Sequence, residues 1–233
     1  MKILNLKTVF PSATSAFSYH YEIFNSDHGA LQNVQDTKAL FNVGFYLVKP
    51  LQNHIIDERR NWSKEYAEAE WQWYLSGDAS TDKLGELYGR VPPIWEKMST
   101  GPNNFVNSNY GYQWERAHQL KDDPTTRKAA LSIYDGKEIH IYRKDTPCTY
   151  AVQFTILNNE LNMSVYMRSN DLWFGFCNDQ YCFSELQKVV AERLSIDVGW
   201  YYHHAHNFHL YNRHLLNKIN EDGMLQRKAD SYK

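Results

Sequence analysis

The chain has 233 residues, room for one generous domain or two small ones at roughly 150 residues per domain. Its 25 Lys and Arg against 27 Asp and Glu leave a net charge of −2, which argues against a polynucleotide-binding surface. A hydrophobic content of 42% excludes general disorder, and no apolar run reaches the roughly 20 residues of a membrane span.

The first 50 residues read as irregular, with a polar loop over 25–35. They hold no sustained apolar region of the signal-peptide kind, which points to a cytoplasmic protein. Residues 39–48 read as a strand with a weak spot at Gly44. Over 57–75 the pattern turns helical, since Arg59, Trp62, Tyr66, Ala69 and Trp73 recur every three or four residues before Ser76-Gly77-Asp78. Residues 99–109 read as a turn-rich loop. Asp123-Pro124 stops a helix, and 129–134 reads as a buried strand. Two strong strands follow over 151–157 and 161–168, joined by Asn158-Asn159-Glu160 with hairpin chemistry. The clearest helix covers 181–194, with Phe183, Leu186, Val190 and Leu194 on one face and Glu185, Lys188 and Glu192 on the other. A strand over 200–211 alternates aromatics with histidines, and the last dozen residues read as frayed. The mixture predicts an α/β (α+β) fold with a mixed twisted sheet flanked by helices. The hairpin argues against an all-parallel sheet. No linker divides the chain, so 1–233 reads as one domain.

Chemistry has several candidate seats. Cys148 follows Pro147 just before a strand, where it reads as a nucleophile or as a small buried hydrophobe. Cys177 and Cys182 flank a helix start and read as packing residues. Three cysteines are too few and too odd for a disulfide framework. His203, His204, His206 and His209 tempt a metal reading. In a strand of period two, however, His204, His206 and Phe208 share one face and His203 and His209 the other, with no second ligand cluster beside them. No metal is expected. Arg168-Ser169-Asn170-Asp171 ends a strong strand and reads as a phosphate cradle or as an ordinary polar loop. The run Asn109-Tyr110-Gly111-Tyr112-Gln113-Trp114 stacks a flat ligand or packs a core. No Gly-rich dinucleotide fingerprint and no P-loop is present.

Together these pieces resemble the thymidylate synthase superfamily, most closely its phage deoxycytidylate 5-hydroxymethylases. The matching fragments occur in the family's order over roughly residues 66–214. They are 70–78 (Glu-Trp-Gln-Trp-Tyr-Leu-Ser-Gly-Asp), Ile94-Trp95, 109–114, Asp123-Pro124-Thr125-Thr126-Arg127, Pro147-Cys148, Gln153-Phe154, 168–171 and His209-Leu210-Tyr211. Each is short; the ordered set is specific.

The resemblance implies that Cys148 adds to C6 of a pyrimidine nucleotide and makes C5 nucleophilic, with 5,10-methylenetetrahydrofolate as the one-carbon donor. Glu70 matches the glutamate that organises water and proton transfers. Arg168 lies beside the thiol, where its charge favours thiolate. It would hold the 5′-phosphate with Ser169, and Tyr110 is a further substrate contact. His209 and Tyr211 match the residues that hold the deoxyribose hydroxyl; Trp95 and Asp171 match folate contacts. Arg127 and Lys128 stand where a partner subunit supplies an arginine pair, so a homodimer is implied, with lysine lacking the bidentate fork. A further family arginine has no counterpart in residues 1–50.

Asp179 aligns with the asparagine that reads uracil in thymidylate synthases. As a carboxylate it accepts hydrogen bonds only, which suits dCMP; Asn178 is the neighbouring alternative. The tail, Arg227-Lys228-Ala229-Asp230-Ser231-Tyr232-Lys233, lacks the proline of a sealing C-terminus and so favours quenching by water. The reading is hydroxymethylation of dCMP by a phage-encoded enzyme. Its alternatives are a thymidylate synthase, a dUMP hydroxymethylase or cytidylate methylase, and a non-catalytic nucleotide- or RNA-binding relative.

Overall fold

The computed structural model describes residues 6–98, 106, 111–134 and 146–216, apart from the side chain of Tyr112. In chain order these residues form β1 (Val9–Phe10), α1 (Ala13–Phe24), β2 (Gln32–Val34), β3 (Thr37–Leu47), α2 (Lys64–Ser76), α3 (Thr81–Tyr88) and α4 (Pro93–Met98). A 3-10 helix over Gly111–His118 leads into α5 (Gln119–Asp122). Then come β4 (Ala130–Ser132), β5 (Thr149–Leu157), β6 (Glu160–Asp171), a π-helical turn over Leu172–Phe176, α6 (Cys177–Leu194) and β7 (Asp197–Tyr211).

The strands make one mixed seven-stranded sheet in the order β1-β3-β7-β6-β5-β4, with β2 beside β3. β6 and β7 run parallel through the α6 crossover, whereas β5–β6 and β3–β7 are antiparallel. The expected mixed sheet flanked by helices is what forms. At the hairpin, Asn158 and Asn159 adopt φ of 53° and 62°, the left-handed pair of a type I′ turn, and Leu157 pairs with Glu160.

The first 50 residues are not irregular. Ser12 caps α1 reciprocally with Ser15, and Ala13, Ala16, Phe17, His20, Tyr21 and Phe24 are buried at helical spacing. Three of its four larger buried side chains are aromatic and the fourth is a histidine, so the face lacks the aliphatic stripe that marks an amphipathic helix. The second helix starts at Lys64 rather than 57; Asp57 and Arg59 lie before it, held in an ion pair of 2.7 Å. Cys177 and Cys182 do not flank α6 but lie within it, fully buried.

One face of the sheet is covered by α1 and α6, with α2 packed on α6. Phe45, Phe176, His203 and Phe208 meet there, ring centroids 5.2 to 6.2 Å apart. Each fully buried phenylalanine contributes about 1.5–3 kcal/mol. The opposite face carries Tyr46, Tyr166, Trp200, Tyr202 and His204, with Tyr46 and Tyr166 more than a third exposed. Gly44 belongs to this face, because any Cβ there would collide with the Tyr202 hydroxyl.

The expected division of the histidines fails. Asn42, Arg168 and His206 face one another across β3, β6 and β7 without ladder pairing, and β5 bulges at Tyr150 on the same line. Across it the alternation changes phase. Tyr201, His203 and Ala205 point into the core before the line, Phe208 and Leu210 after it. β6 does the same, with Val165 and Met167 giving way to Asn170. His203 therefore shares a face with Phe208, and His209 turns the other way.

Candidate active site

Cys148, Thr149 and Pro147 stand at the entry of β5. All three cysteines are free; Cys148 is partly exposed and the other two are buried. Burial pushes the Cys177 thiol up to about 12 and that of Cys182 well above its usual range, which leaves both inert at neutral pH. Arg168, on the phase line of β6, donates its backbone N–H to the Cys148 carbonyl at 2.8 Å. Its guanidinium bonds the carbonyls of Pro147 (2.9 Å) and Thr146 (2.5 Å), so a cation sits against the segment that carries the thiol.

Glu70 lies on the buried side of α2, and only 3% of it is exposed. Tyr66 and Tyr74, one helical turn before and after, both hydrogen-bond its carboxyl, as does Trp95. Burial drives its pKa up to about 7 while those three bonds pull it back. Trp95 Nε1 also reaches the Tyr66 hydroxyl at 3.0 Å.

Asp179 opens α6 and is partly exposed. Burial of its carboxyl, then the neighbouring Glu70 and Asp171, raise its pKa well above the usual carboxylate range, against a 2.7 Å bond from Asn170 Nδ2. The shift favours the protonated carboxyl, which can donate, a possibility that the acceptor-only argument from sequence omits. The adjacent Asn178 is engaged elsewhere: its Oδ1 accepts from Trp62 Nε1 at 2.8 Å.

Asp171 caps the π-helical turn, accepting from the N–H groups of Trp173 (3.2 Å) and Phe174 (2.8 Å). Burial raises its pKa and the nearby His209 opposes the rise. The parallel register sets Asp171 beside His209 and Ser169 beside Asn207, on one face. Asn207 Oδ1 and His209 Nδ1 are buried without a hydrogen-bond partner among the described residues. Such atoms are where a ligand's polar groups find partners. Tyr211 packs edge-on to His209 under the Arg213 guanidinium. Half-buried Trp173 and Phe174 form an aromatic shelf at the Asp171 turn, with Arg60 above both rings at 5.7 and 5.2 Å.

Arg168 thus meets Cys148, Glu70 meets Trp95 and neighbours Asp179, and Asp171 meets His209. Arg127 and Lys128 do not join them. Both are exposed, and Arg127 lines an open groove with Gln153 and residues 155–157, well along β5 from Cys148. Tyr110 and the tail over 217–233 lie outside the described residues. The sequence reading missed Tyr66 and Tyr74, although their positions four residues either side of Glu70 were a usable signal. It named Asn170 only within a phosphate cradle and His203 only as a metal candidate, and it missed Asn207 and Arg60.

A family model described as thymidylate synthase matches residues 34–232. The chain is 28% identical over 193 residues to a deoxyuridylate hydroxymethyltransferase of Bacillus phage SP01, covering 74% of the chain and 50% of that protein. It therefore spans half the length of this relative. It is 30% identical over 176 residues to a deoxycytidylate 5-hydroxymethyltransferase of Enterobacteria phage T4, covering 64% and 68%. A thymidylate synthase of Fusobacterium nucleatum is 26% identical over 234 residues, covering 94% and 76%.

Proposed function

The chain belongs to the thymidylate synthase family, and from that premise we propose that it is a one-carbon transferase acting at C5 of dCMP and releasing 5-hydroxymethyl-dCMP. The observation that carries the base assignment is Asp179, a carboxyl held by Asn170 where the family's uracil readers have an amide. Asn178 favours this reading by spending its amide oxygen on Trp62.

Cys148 Sγ forms a bond to C6, and the electron pair displaced from the C5–C6 double bond makes C5 nucleophilic. Methylenetetrahydrofolate, when bound, supplies a carbon at the oxidation level of formaldehyde. The half-buried rings of Trp173 and Phe174, packed against His214 at 4.6 and 5.3 Å, together with the Asp171 carboxyl and the Arg60 cation would flank a flat heterocycle with an anionic tail, as would Trp95. Glu70 takes up the C5 proton through water and hands protons back. Water adds to the C5 methylene, and Sγ departs from C6 as the ring regains its double bond. Arg168 and Ser169 hold the phosphate; His209, Tyr211 and the unpaired Asn207 Oδ1 hold the sugar. Tyr110 belongs with these substrate contacts.

The test is incubation with dCMP or dUMP and methylenetetrahydrofolate, reading product mass and folate product. Hydroxymethyl-dCMP with tetrahydrofolate is expected. A methylated product with dihydrofolate would reassign the quench, and equal turnover of dUMP would remove the cytosine assignment.

The active form is a symmetric homodimer in this reading. The exposed aromatic face of the sheet supports it, as do Arg127 and Lys128, placed away from their own chain's Cys148. An Arg127→Ala chain mixed with a Cys148→Ala chain should then recover up to about a quarter of wild-type activity, since one site of each heterodimer is intact. No recovery, in chains shown to exchange, would place Arg127 in its own chain's site.

A further inference from the structure

A protonated carboxyl is an ambiguous reader of bases. It offers one donor and one acceptor, and moving the proton between its oxygens reverses their order. One order suits cytosine, with its acceptor at N3 and donor at N4; the reverse suits uracil. Burial, with Glu70 and Asp171 nearby, raises the pKa of Asp179 well above the usual carboxylate range, which favours the protonated form to which this ambiguity applies.

The structure holds a device that breaks the symmetry. Asn170, 2% exposed, donates from Nδ2 to Asp179 Oδ2 at 2.7 Å. Its Oδ1 lies 3.0 Å from Nε2 of the fully buried His203, whose Nδ1 lies 2.9 Å from the Tyr201 hydroxyl. Burial keeps the imidazole neutral down to about pH 3, so it carries a single N–H. With Oδ1 accepting, that hydrogen is on Nε2 and Tyr201 donates to Nδ1. Every direction along the row is then fixed. Phe45 stacks on His203 at 5.2 Å and Phe176 abuts it at 5.3 Å, which denies the ring another orientation. Gly175 leaves the space, since a Cβ there would lie 2.8 Å from Asn170 Nδ2 and 3.4 Å from Asp179 Oδ2.

We propose that Tyr201, His203 and Asn170 form a positioning relay that dictates which oxygen of Asp179 carries the proton, and so which pyrimidine base the site accepts. The relay rests on the reading above that Asp179 faces the base edge. Because Asn170 already fills an acceptor site on Oδ2, the proton resides on Oδ1, giving one donor and one acceptor in constant order. Reversing that order requires turning the Asn170 amide and switching the His203 tautomer together. Neither group touches substrate; they act through Asp179.

The test compares kcat/KM for dCMP and dUMP in four variants. Asp179→Asn should swing the ratio toward dUMP. Asn170→Leu and His203→Phe should each reduce it by about tenfold or more, chiefly through kcat, and His203→Gln should keep it within about twofold because its amide still donates to Asn170. A packing role predicts the opposite ranking, since phenylalanine suits the aromatic cage better than glutamine. A second measurement needs no variant to be active: nitrogen-labelled histidine in the wild-type protein should show His203 protonated on Nε2, its signal assigned by its loss in His203→Gln. A proton on Nδ1 would overturn the relay. So would a ratio that responds to Asp179→Asn but ignores Asn170→Leu and His203→Phe, which leaves the base reading intact. A ratio unmoved by Asp179→Asn removes the base reading and the relay with it.

Discussion

Cys148→Ala is expected to lose turnover by about four orders of magnitude or more while dCMP still binds. C5 of a pyrimidine attacks a one-carbon electrophile only after a nucleophile has added to C6, and among the described residues Cys148 is the cysteine that is partly exposed, the others being buried. The buried thiols cannot substitute, because burial holds both protonated at neutral pH. Binding is expected to survive because the proposed phosphate and sugar contacts are Arg168, Ser169 and His209. Tritium release from C5 of labelled dCMP measures the chemistry, and calorimetric titration with dCMP measures the site. Release that persists in the alanine variant would remove Cys148 from the mechanism.

The second large loss is expected at Glu70. Glu70→Gln keeps shape and hydrogen-bonding reach but cannot exchange a proton, and turnover should fall by about 10²–10⁴-fold. The pH profile gives the sign. The wild-type carboxyl, raised to about 7 by burial, is protonated below that pH and ionised above it. If its task is to accept the C5 proton, activity rises as pH climbs through about 7, and Glu70→Gln flattens that limb. Asp179, Cys182, Tyr66 and Tyr74 face the same carboxyl; burial raises the thiol of Cys182 well above this range, so it adds no limb of its own, and Asp179→Asn separates any limb that belongs to Asp179. A limb that survives Glu70→Gln would assign it to another group.

What was legible in the sequence was local. The Asn158-Asn159 turn, the strands on either side of it and the amphipathic α6 each announce themselves within a dozen residues, and each forms. The sheet order does not, because it depends on which distant strands pair. α1 escaped notice because its buried face is built of alanine, aromatics and a histidine rather than aliphatics. In the site, ordered fragments singled out Cys148, Glu70 and Arg168. The histidine strand misled, because a period of two holds only while a strand keeps its phase, and nothing local marks His206 as a break. The contact between Asn170 and His203 was invisible for another reason: 33 positions separate them, and only the parallel register of β6 and β7 brings them together.

The phase line has a consequence for how this sheet tolerates change. A strand that crosses it is two half-strands with independent parity, one serving the aromatic core and the other the nucleotide pocket. Loss of one residue on the core side of β6, between Leu161 and Met167, can be absorbed by a new bulge without disturbing Ser169 or Asp171. Loss of Arg168 itself would fuse the halves into one uninterrupted alternation that still points Asn170 inward, but it would leave β6 one residue short of β7, which keeps His206 at the seam. Length variation in this chain is therefore tolerable within a half-strand and forbidden at the seam, where neighbouring strands would have to change length together to stay in step.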